Sequence, residues 1–223
     1  LDVIFDKLVV VRNKKGKILN FKNFIPLGYL NMNRSDYGAK EVSEYRKQIV
    51  KHIVPLVEKI NQKRKNILGY KEMFVYDTLY FKNGNPKPKG GVKFQVKQAK
   101  KMYTELSKET KEFFEIMINE ELMDLDNRPG KSGGGFCTSF PSIERPYIFA
   151  NFNGTDHDVT VLTHEAGHAF QGYQSRHQTI NRYLWPTYEA CEIHSMSMEF
   201  LTWDWMHLFF KEDTDKFLFK HLA

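Results

Sequence analysis

The sequence contains only two cysteines, Cys137 and Cys191, among 223 residues. Two cysteines cannot build the disulfide framework of a small secreted domain, so a reducing compartment is favoured. No apolar run approaches the roughly 18 residues that a transmembrane helix needs. After Leu1, charged residues interrupt the apolar ones, which is not the pattern of a signal peptide. These absences predict a cytoplasmic chain with no membrane partner.

A strong excess of one charge is also absent, because 33 Lys and Arg stand against 27 Asp and Glu. The basic runs at 13–17, 63–65 and 97–101 are short, and acidic residues follow the last two. This pattern is typical of a lysine-rich solvated surface. A nucleic-acid binder is the alternative, but no recognition motif supports it. We therefore expect no nucleic-acid partner.

The chain is rich in aromatic residues, at 14%, which excludes a disordered coil. Apolar periodicity predicts helices over 41–68, 93–125, 157–176 and 186–210. Pro55 should kink the first or shift its hydrogen bonding, and Ser107 should interrupt the second. Residues 146–152 are typical of a strand, whereas 76–81 could be a strand or irregular. The predicted fold class is therefore mainly α with a small β-sheet.

The motif that carries chemistry is His164-Glu165-Ala166-Gly167-His168, an HExxH pentad. Two histidines four residues apart lie on one helical face and can bind one metal ion. The intervening Glu165 can then take a proton from water at the open coordination position. The alternative is a structural helix with hydrogen-bonded histidines, but apolar neighbours imply burial, and buried polar groups need partners.

A catalytic zinc ion usually takes a third protein ligand, and the extended HExxHxxGxxH pattern does not supply it here. The helix predicted over 186–210 offers carboxylates instead. We rank Glu192 first and Glu189 second as third ligand. Glu199 follows two turns further along the same stripe and could orient a ligand histidine, or it could be an ordinary surface carboxylate. His157 and His194 are expected to pack near the motif and not to bind metal.

With these residues, the sequence resembles the oligoendopeptidase F and thimet oligopeptidase family of zinc metallopeptidases. The pentad and the downstream Glu-x-x-Ser-x-x-x-Glu pattern carry the resemblance. Four further stretches also look like oligoendopeptidase F, namely 24–33, 121–125, 132–137 and 149–154. The resemblance spans essentially the whole chain.

This resemblance implies a helical, zincin-like catalytic core with a small sheet near one zinc ion. It implies that His164, His168 and Glu192 are the metal ligands and that Glu165 is the catalytic base. The implied activity is endopeptidase cleavage of short oligopeptides. Because family members are several hundred residues long, we expect 1–223 to be one partial catalytic domain. The family's oxyanion-stabilising residues lie in a later segment, so no residue here is assigned that role.

Substrate could be held by the strand over 147–152 if it presents an open edge, since extended peptides add to exposed sheet edges. Phe149 and Ala150 are then candidates, with Gly134 allowing close backbone approach or hinge motion. An ordinary buried strand beside a flexible loop is the alternative.

One other function and one question about the metal remain open from the sequence. A metal-binding scaffold without catalysis would carry the same ligands. Cobalt or manganese could replace zinc, because two histidines and a glutamate accept several divalent ions. Both cysteines are interpreted as small core residues, because hydrolysis by activated water needs no covalent nucleophile.

Overall fold

A computed structural model describes residues 1–34, 36–79, 81 and 83–222 of the chain. These residues form two compact units, Leu1–Ile60 and Asn61–Ala223.

The first unit is helical. Its elements are α1 (Asp2–Ile18), α2 (Phe24–Asn31), α3 (Ala39–Gln48), a π-helical turn (Ile49–Ile53) and the start of α4 (Val54–Leu68). The side chain of Asn23 caps α2 by accepting the N–H of Ile25 at 3.0 Å. The predicted helix over 41–68 is therefore present as α3, the π turn and α4.

The π turn lies directly before Pro55, the second residue of α4. Proline has no N–H to donate to the carbonyl four residues earlier, so the regular hydrogen-bond ladder must change there. The predicted shift in hydrogen bonding is confirmed. Gly69, with φ of 72°, follows the end of α4, as expected for a helix stop.

The second unit contains the sheet and most of the buried core. After a 3₁₀ turn (Val75–Leu79) come α5 (Val92–Leu106), α6 (Lys108–Asn119), β1 (Met123–Asp126), β2 (Phe136–Phe140), β3 (Arg145–Phe152) and α7 (His157–Ser175). Next come α8 (Cys191–Leu201), α9 (His207–Phe210) and α10 (Thr214–Leu222). The range 76–81 is thus helical up to Leu79, and residue 80 lies outside the described residues.

The helix predicted over 93–125 is wrong at its C-terminal end. The Ser107 hydroxyl caps α6 as expected, accepting the N–H of Thr110 at 3.1 Å. However, α6 ends at Asn119 because Glu121 adopts a left-handed φ of 54° and the Leu122 N–H bonds back to Met117 O. Residues 123–126 then form strand β1.

The sheet has the order β1-β3-β2, with β1 parallel and β2 antiparallel to β3. Strand β3 is confirmed at 145–152, and it occupies the centre. Its inward side chains alternate with half-buried ones. The buried core around it contains, among others, Met102, Phe113, Phe114, Met117, Ile148, Leu162 and Phe209.

The helix predicted over 186–210 is shorter than expected. It runs only from Cys191 to Leu201, and the Thr202 hydroxyl then bonds the carbonyls of Met198 and Glu199. A 3₁₀ turn (Trp203–Trp205) redirects the chain into α9 and α10. None of the helices formed by residues 1–34, 36–79, 81 and 83–222 is long and apolar enough to span a bilayer.

Candidate metal centre

Helix α7 presents both histidines of the HExxH motif on the face that meets α8. The opposite face of α7 is fully buried in the core and contains Leu162, Ala166 and Ala169. The N-cap residue of α7 is Asp156. Asp156 makes no capping bond, and its carboxylate instead accepts two hydrogen bonds from Lys220. Asp158 reaches back to accept the N–H of Gly154 at 2.8 Å and that of Asn153 at 3.0 Å.

Three potential ligand atoms converge between α7 and α8. The Nε2 atoms of His164 and His168 lie 3.2 Å apart, and Glu192 Oε2 lies 3.2 Å from the first and 3.5 Å from the second. In a tetrahedral zinc site with bonds of about 2.0–2.1 Å, neighbouring ligand atoms are about 3.3–3.4 Å apart. The side chains therefore fit a zinc ion. Glu189, the second candidate from the sequence, is not in this set of three.

Glu192 reaches this position because α8 lies exceptionally close to α7. A Cβ atom at Gly167 would be 2.7 Å from Cα of Ser195 and 2.8 Å from the His194 carbonyl oxygen. Only glycine permits that approach. The buried Ser195 hydroxyl donates to Glu192 Oε2 at 2.9 Å. Burial raises the pKa of Glu192. The Ser195 bond and the two nearby histidines lower that pKa by more than burial raises it, so the pKa lies below its ordinary value.

Glu199 contacts the first of the two potential ligand histidines. Its Oε1 atom lies 2.7 Å from His164 Nδ1, and its Oε2 atom lies 2.5 Å from Nε2 of His221. Burial alone would raise the pKa of Glu199, but the two histidine hydrogen bonds lower it to about 2. The carboxylate bond in turn raises the pKa of His164. Because a carboxylate only accepts, His164 carries its proton on Nδ1 and keeps the Nε2 lone pair free.

The second potential ligand histidine has a different partner. His168 Nδ1 lies 3.0 Å from His194 Nε2, and the ring of Trp185 lies beside both imidazoles. Burial and the charge of the neighbouring His164 lower the pKa of His168. Burial, followed by the charge of His168, lowers the pKa of His194 to about 4. His194 therefore contacts the potential ligand set through one hydrogen bond and is not a member of it. The sequence predicted this position beside the motif.

Glu165 faces the same space from the strand side. It is only 8% exposed, and burial raises the pKa of its carboxyl. The N–H of Cys137 in β2 donates to it and opposes this rise. A Cβ atom at Gly135 would lie 3.5 Å from Glu165 Oε1, so the glycine lets β2 pass close to the carboxylate. A raised pKa suits a group that must accept and release a proton near neutral pH.

The structure corrects the expected open strand edge. Strand β3, which contains Phe149 and Ala150, is paired on both sides, and the Ala150 side chain is fully buried. The two edges of the sheet are β1 and β2, and within the described part of the chain each pairs only with β3; β2 is the edge strand that passes Glu165. Phe149 instead stacks on Phe136 of β2, with ring centroids 5.0 Å apart. Gly134 precedes β2, with φ of 94° and no atom within 4 Å of a Cβ position.

The cysteines are free thiols set into the packing. Cys191 is buried, and its thiol lies 2.9 Å from the Tyr188 carbonyl oxygen. Cys137 is partly buried against the core, and burial, followed by the charge of Glu165, raises its pKa to about 12. Neither thiol is activated as a nucleophile.

Sequence reasoning did not find the two outer members of this network, His221 and Trp203. The Trp203 indole donates to His221 Nδ1 at 3.0 Å. No local spacing links α10 to the HExxH helix. The one available signal was a histidine in an amphipathic helix, of which Phe217 is buried.

Comparison with known proteins gives a consistent result. Residues 2–222 match the model of peptidase family M3. An oligoendopeptidase F homolog of Lactococcus lactis subsp. lactis (strain IL1403) is 24% identical over 173 residues, which is 75% of this chain and 27% of that protein.

Solved structures are more similar. PZ peptidase A with inhibitor 2 is 53% identical and superposes with a TM-score of 0.96 over 99% of this chain and 40% of that one. A structure named as an oligoendopeptidase F from Bacillus anthracis str. Ames is 53% identical, with a TM-score of 0.96 over 100% of this chain and 41% of its own. The chain thus spans about 27% of the curated relative and about 40% of these solved chains. It belongs to peptidase family M3, as a member of the oligoendopeptidase F type.

Proposed function

We propose that this chain carries the catalytic centre of a zinc-dependent endopeptidase that hydrolyses short oligopeptides. His164, His168 and Glu192 would hold the ion, and Glu165 would act as general base and then general acid. The observation that carries the proposal is the triangle of two Nε2 atoms and one carboxylate oxygen, with edges of 3.2, 3.2 and 3.5 Å. Both free cysteines are compatible with a cytoplasmic location, which is part of the proposal.

The donor chemistry supports zinc. Two imidazoles and one carboxylate, with one coordination position left open, is the ligand set of hydrolytic zinc sites. When bound, zinc lowers the pKa of water to about 7 in favourable sites and polarises a carbonyl as a Lewis acid. Each histidine also has a hydrogen-bond partner on its other ring nitrogen, which fixes the ring and leaves Nε2 available.

The work of the chain's own residues centres on Glu165. As a base, its carboxylate takes the proton of the attacking water while that water adds to the peptide carbonyl carbon. As an acid, it delivers the same proton to the leaving amine nitrogen as the C–N bond breaks. Burial and the nearby negative charge of Glu192 both raise its pKa, which favours the first transfer, the uptake of the proton from water. No covalent bond to the enzyme forms.

The peptide would bind along the outer edge of β2. Strand β2 runs beside Glu165, since the Cys137 N–H donates to that carboxylate. An extended substrate pairing with this edge gains main-chain hydrogen bonds and passes the reactive residues. Gly134 determines the direction in which the backbone enters β2. Phe149 of the neighbouring strand stabilises β2 by stacking on Phe136. Ala150 acts only as buried packing beneath it.

The decisive activity test is Glu165→Gln in the complete protein. Glutamine keeps the size of the side chain and can still accept the Cys137 N–H, but it cannot take a proton. Because general base catalysis contributes about 10²–10⁴-fold, kcat/KM for an oligopeptide should fall by about that factor. Zinc content should stay at the wild-type level. Near-normal turnover in Glu165→Gln would overturn the assigned role.

The metal test compares Glu192→Ala with Glu189→Ala by elemental analysis. We expect one zinc ion per wild-type chain, a large loss in Glu192→Ala and retention in Glu189→Ala. Zinc bound equally well without Glu192 would remove that residue from the ligand set. A folded wild-type protein with no zinc even after zinc addition would refute the proposed centre, and bound zinc without peptide hydrolysis would favour a binding scaffold.

A further inference from the structure

A chain of hydrogen bonds extends from the HExxH helix to the C-terminal helix of the second unit. It runs from His164 to Glu199 at 2.7 Å, from Glu199 to His221 at 2.5 Å and from His221 to Trp203 at 3.0 Å. The side chains of Glu199 and His221 are each only 10% exposed. Three helices and a 3₁₀ turn therefore contribute to holding one potential metal ligand.

The donor and acceptor roles along this chain follow from Trp203. An indole N–H can only donate, so Nδ1 of His221 must accept and carries no proton. The remaining proton of His221 is therefore on Nε2, where it points to Oε2 of Glu199. Glu199 accepts this bond and the one from His164 Nδ1, which leaves Nε2 of His164 without a proton. The indole donor thus determines the tautomer of His221, and the Glu199 carboxylate determines that of His164.

We propose that His221 is a positioning residue for the metal site, fixed by Trp203 and acting through Glu199 on the orientation of His164. The inference rests on the proposed zinc centre. Without the His221 bond, Oε2 of Glu199 loses its partner, and the carboxylate can rotate away from His164. A ligand histidine that is less well oriented binds metal more weakly.

The network is separable from the anchoring of α10. The rings of Phe217 and Phe200 lie against the His221 imidazole. Lys220, one residue earlier, pairs with Asp156 at 2.7 Å and ties α10 to the start of α7. A change at Lys220 disturbs the anchoring of the same helix without touching the histidine network. It therefore provides a matched control.

The test measures zinc affinity in the complete protein by competition with a chelator, together with the visible spectrum of the cobalt-substituted protein. His221→Phe keeps the ring packing but removes both nitrogen atoms, and should weaken zinc binding about tenfold. It should also alter the cobalt bands, which report ligand geometry. His221→Gln restores an N–H donor to Glu199 and should recover most of the affinity. Lys220→Met should lower the melting temperature while leaving zinc affinity and the cobalt spectrum unchanged.

The outcomes separate this inference from the proposed function. A wild-type protein that binds no zinc refutes the zinc centre itself. A wild-type protein that binds zinc, with His221→Phe binding it equally well and showing an unchanged cobalt spectrum, overturns only the positioning role. If His221→Phe does not fold, Trp203→Phe decides, because it removes a single N–H from the network. Weakened zinc binding in Trp203→Phe supports the role, and wild-type affinity overturns it.

Discussion

His168 is hydrogen-bonded through Nδ1 to Nε2 of His194, at 3.0 Å. The other histidine of the motif, His164, is bonded to the carboxylate of Glu199 at 2.7 Å. Hydrogen bonds to a charged acceptor are roughly twice as strong as those between neutral groups. The two potential ligands are therefore held unequally, one by an anion and one by an imidazole whose pKa is lowered to about 4.

This difference predicts unequal losses of metal affinity. Glu199→Ala should weaken zinc binding by about 100-fold and His194→Ala by about tenfold, the two ends of the range for outer-shell partners. Chelator competition at pH 7 measures both constants. Met196→Ala, on the exposed face of the same helix, serves as the control and should bind zinc like the wild type. Equal losses for the first two variants would contradict the argument.

The close approach of α7 and α8 gives a second prediction. In Gly167→Ala the new methyl group would sit 2.7 Å from Cα of Ser195, a backbone atom that cannot move alone. Overpacking of this kind costs about 1–3 kcal/mol of unfolding free energy. The displaced helix also carries Glu192, so zinc affinity should fall as well.

Gly172→Ala is the matched control on the same helix. There a Cβ atom meets only the rotatable Ser139 hydroxyl, at 3.0 Å. Alanine is favoured over glycine in a helix by about 0.5–1 kcal/mol, so this variant should be neutral or slightly more stable. Denaturant unfolding of both variants checks the pair. If Gly167→Ala were as stable as Gly172→Ala, the helices would not need the glycine contact.

The parts of the site that the sequence predicted are those governed by local helix geometry. His164 and His168 are four residues apart on α7, and Glu192 and Glu199 lie on one stripe of α8, so their faces follow from the 3.6-residue period. Burial then requires partners for these polar groups, which the two helices supply to each other. Spacing could therefore rank Glu192 above Glu189.

The parts that sequence reasoning missed depend on contacts between distant segments. Strand β1 has only four residues and follows a helix without a proline or glycine, so its apolar pattern could be continued as helix. The central position of β3 is fixed by its pairing with β1 on one side and β2 on the other. The link from His221 to Glu199 joins residues 22 positions apart through a change of chain direction at Trp203.

The ion pair between His164 and Glu199 predicts a pH-dependent stability of the metal-free protein. The pKa of Glu199 is lowered from 4.5 to about 2, so its contribution is present above pH 4.5 and is lost as the pH falls toward 2. The pKa of His164 is raised above 6.5, so its contribution is present below pH 6.5 and is lost as the pH rises through the higher value. The stabilisation is therefore largest between about pH 4.5 and 6.5.

The pH dependence of this stabilisation is measured by urea unfolding of the wild type and Glu199→Gln in the presence of a chelator. The difference between their midpoints should be widest in that window and should narrow on both sides. Glu115→Gln, a half-exposed carboxylate on α6, provides the control and should show no such maximum. A difference that stays constant from pH 3 to pH 8 would exclude the ion pair as its source.

The glycines before β2 give a last prediction about substrate binding. Gly134 has a φ of 94°, whereas its neighbour Gly133 has no such restriction, and neither has an atom within 4 Å of its Cβ position. Left-handed backbone costs a residue with a side chain about 1–2 kcal/mol, so Gly134→Ala should shift the backbone that leads into β2. Because β2 is the proposed edge for the peptide and lies against Glu165, KM for an oligopeptide should rise while zinc content stays constant. Gly133→Ala adds the same methyl group without the strain and should leave KM unchanged. An equal KM in the two variants would mean that the conformation at Gly134 does not contribute to holding the peptide.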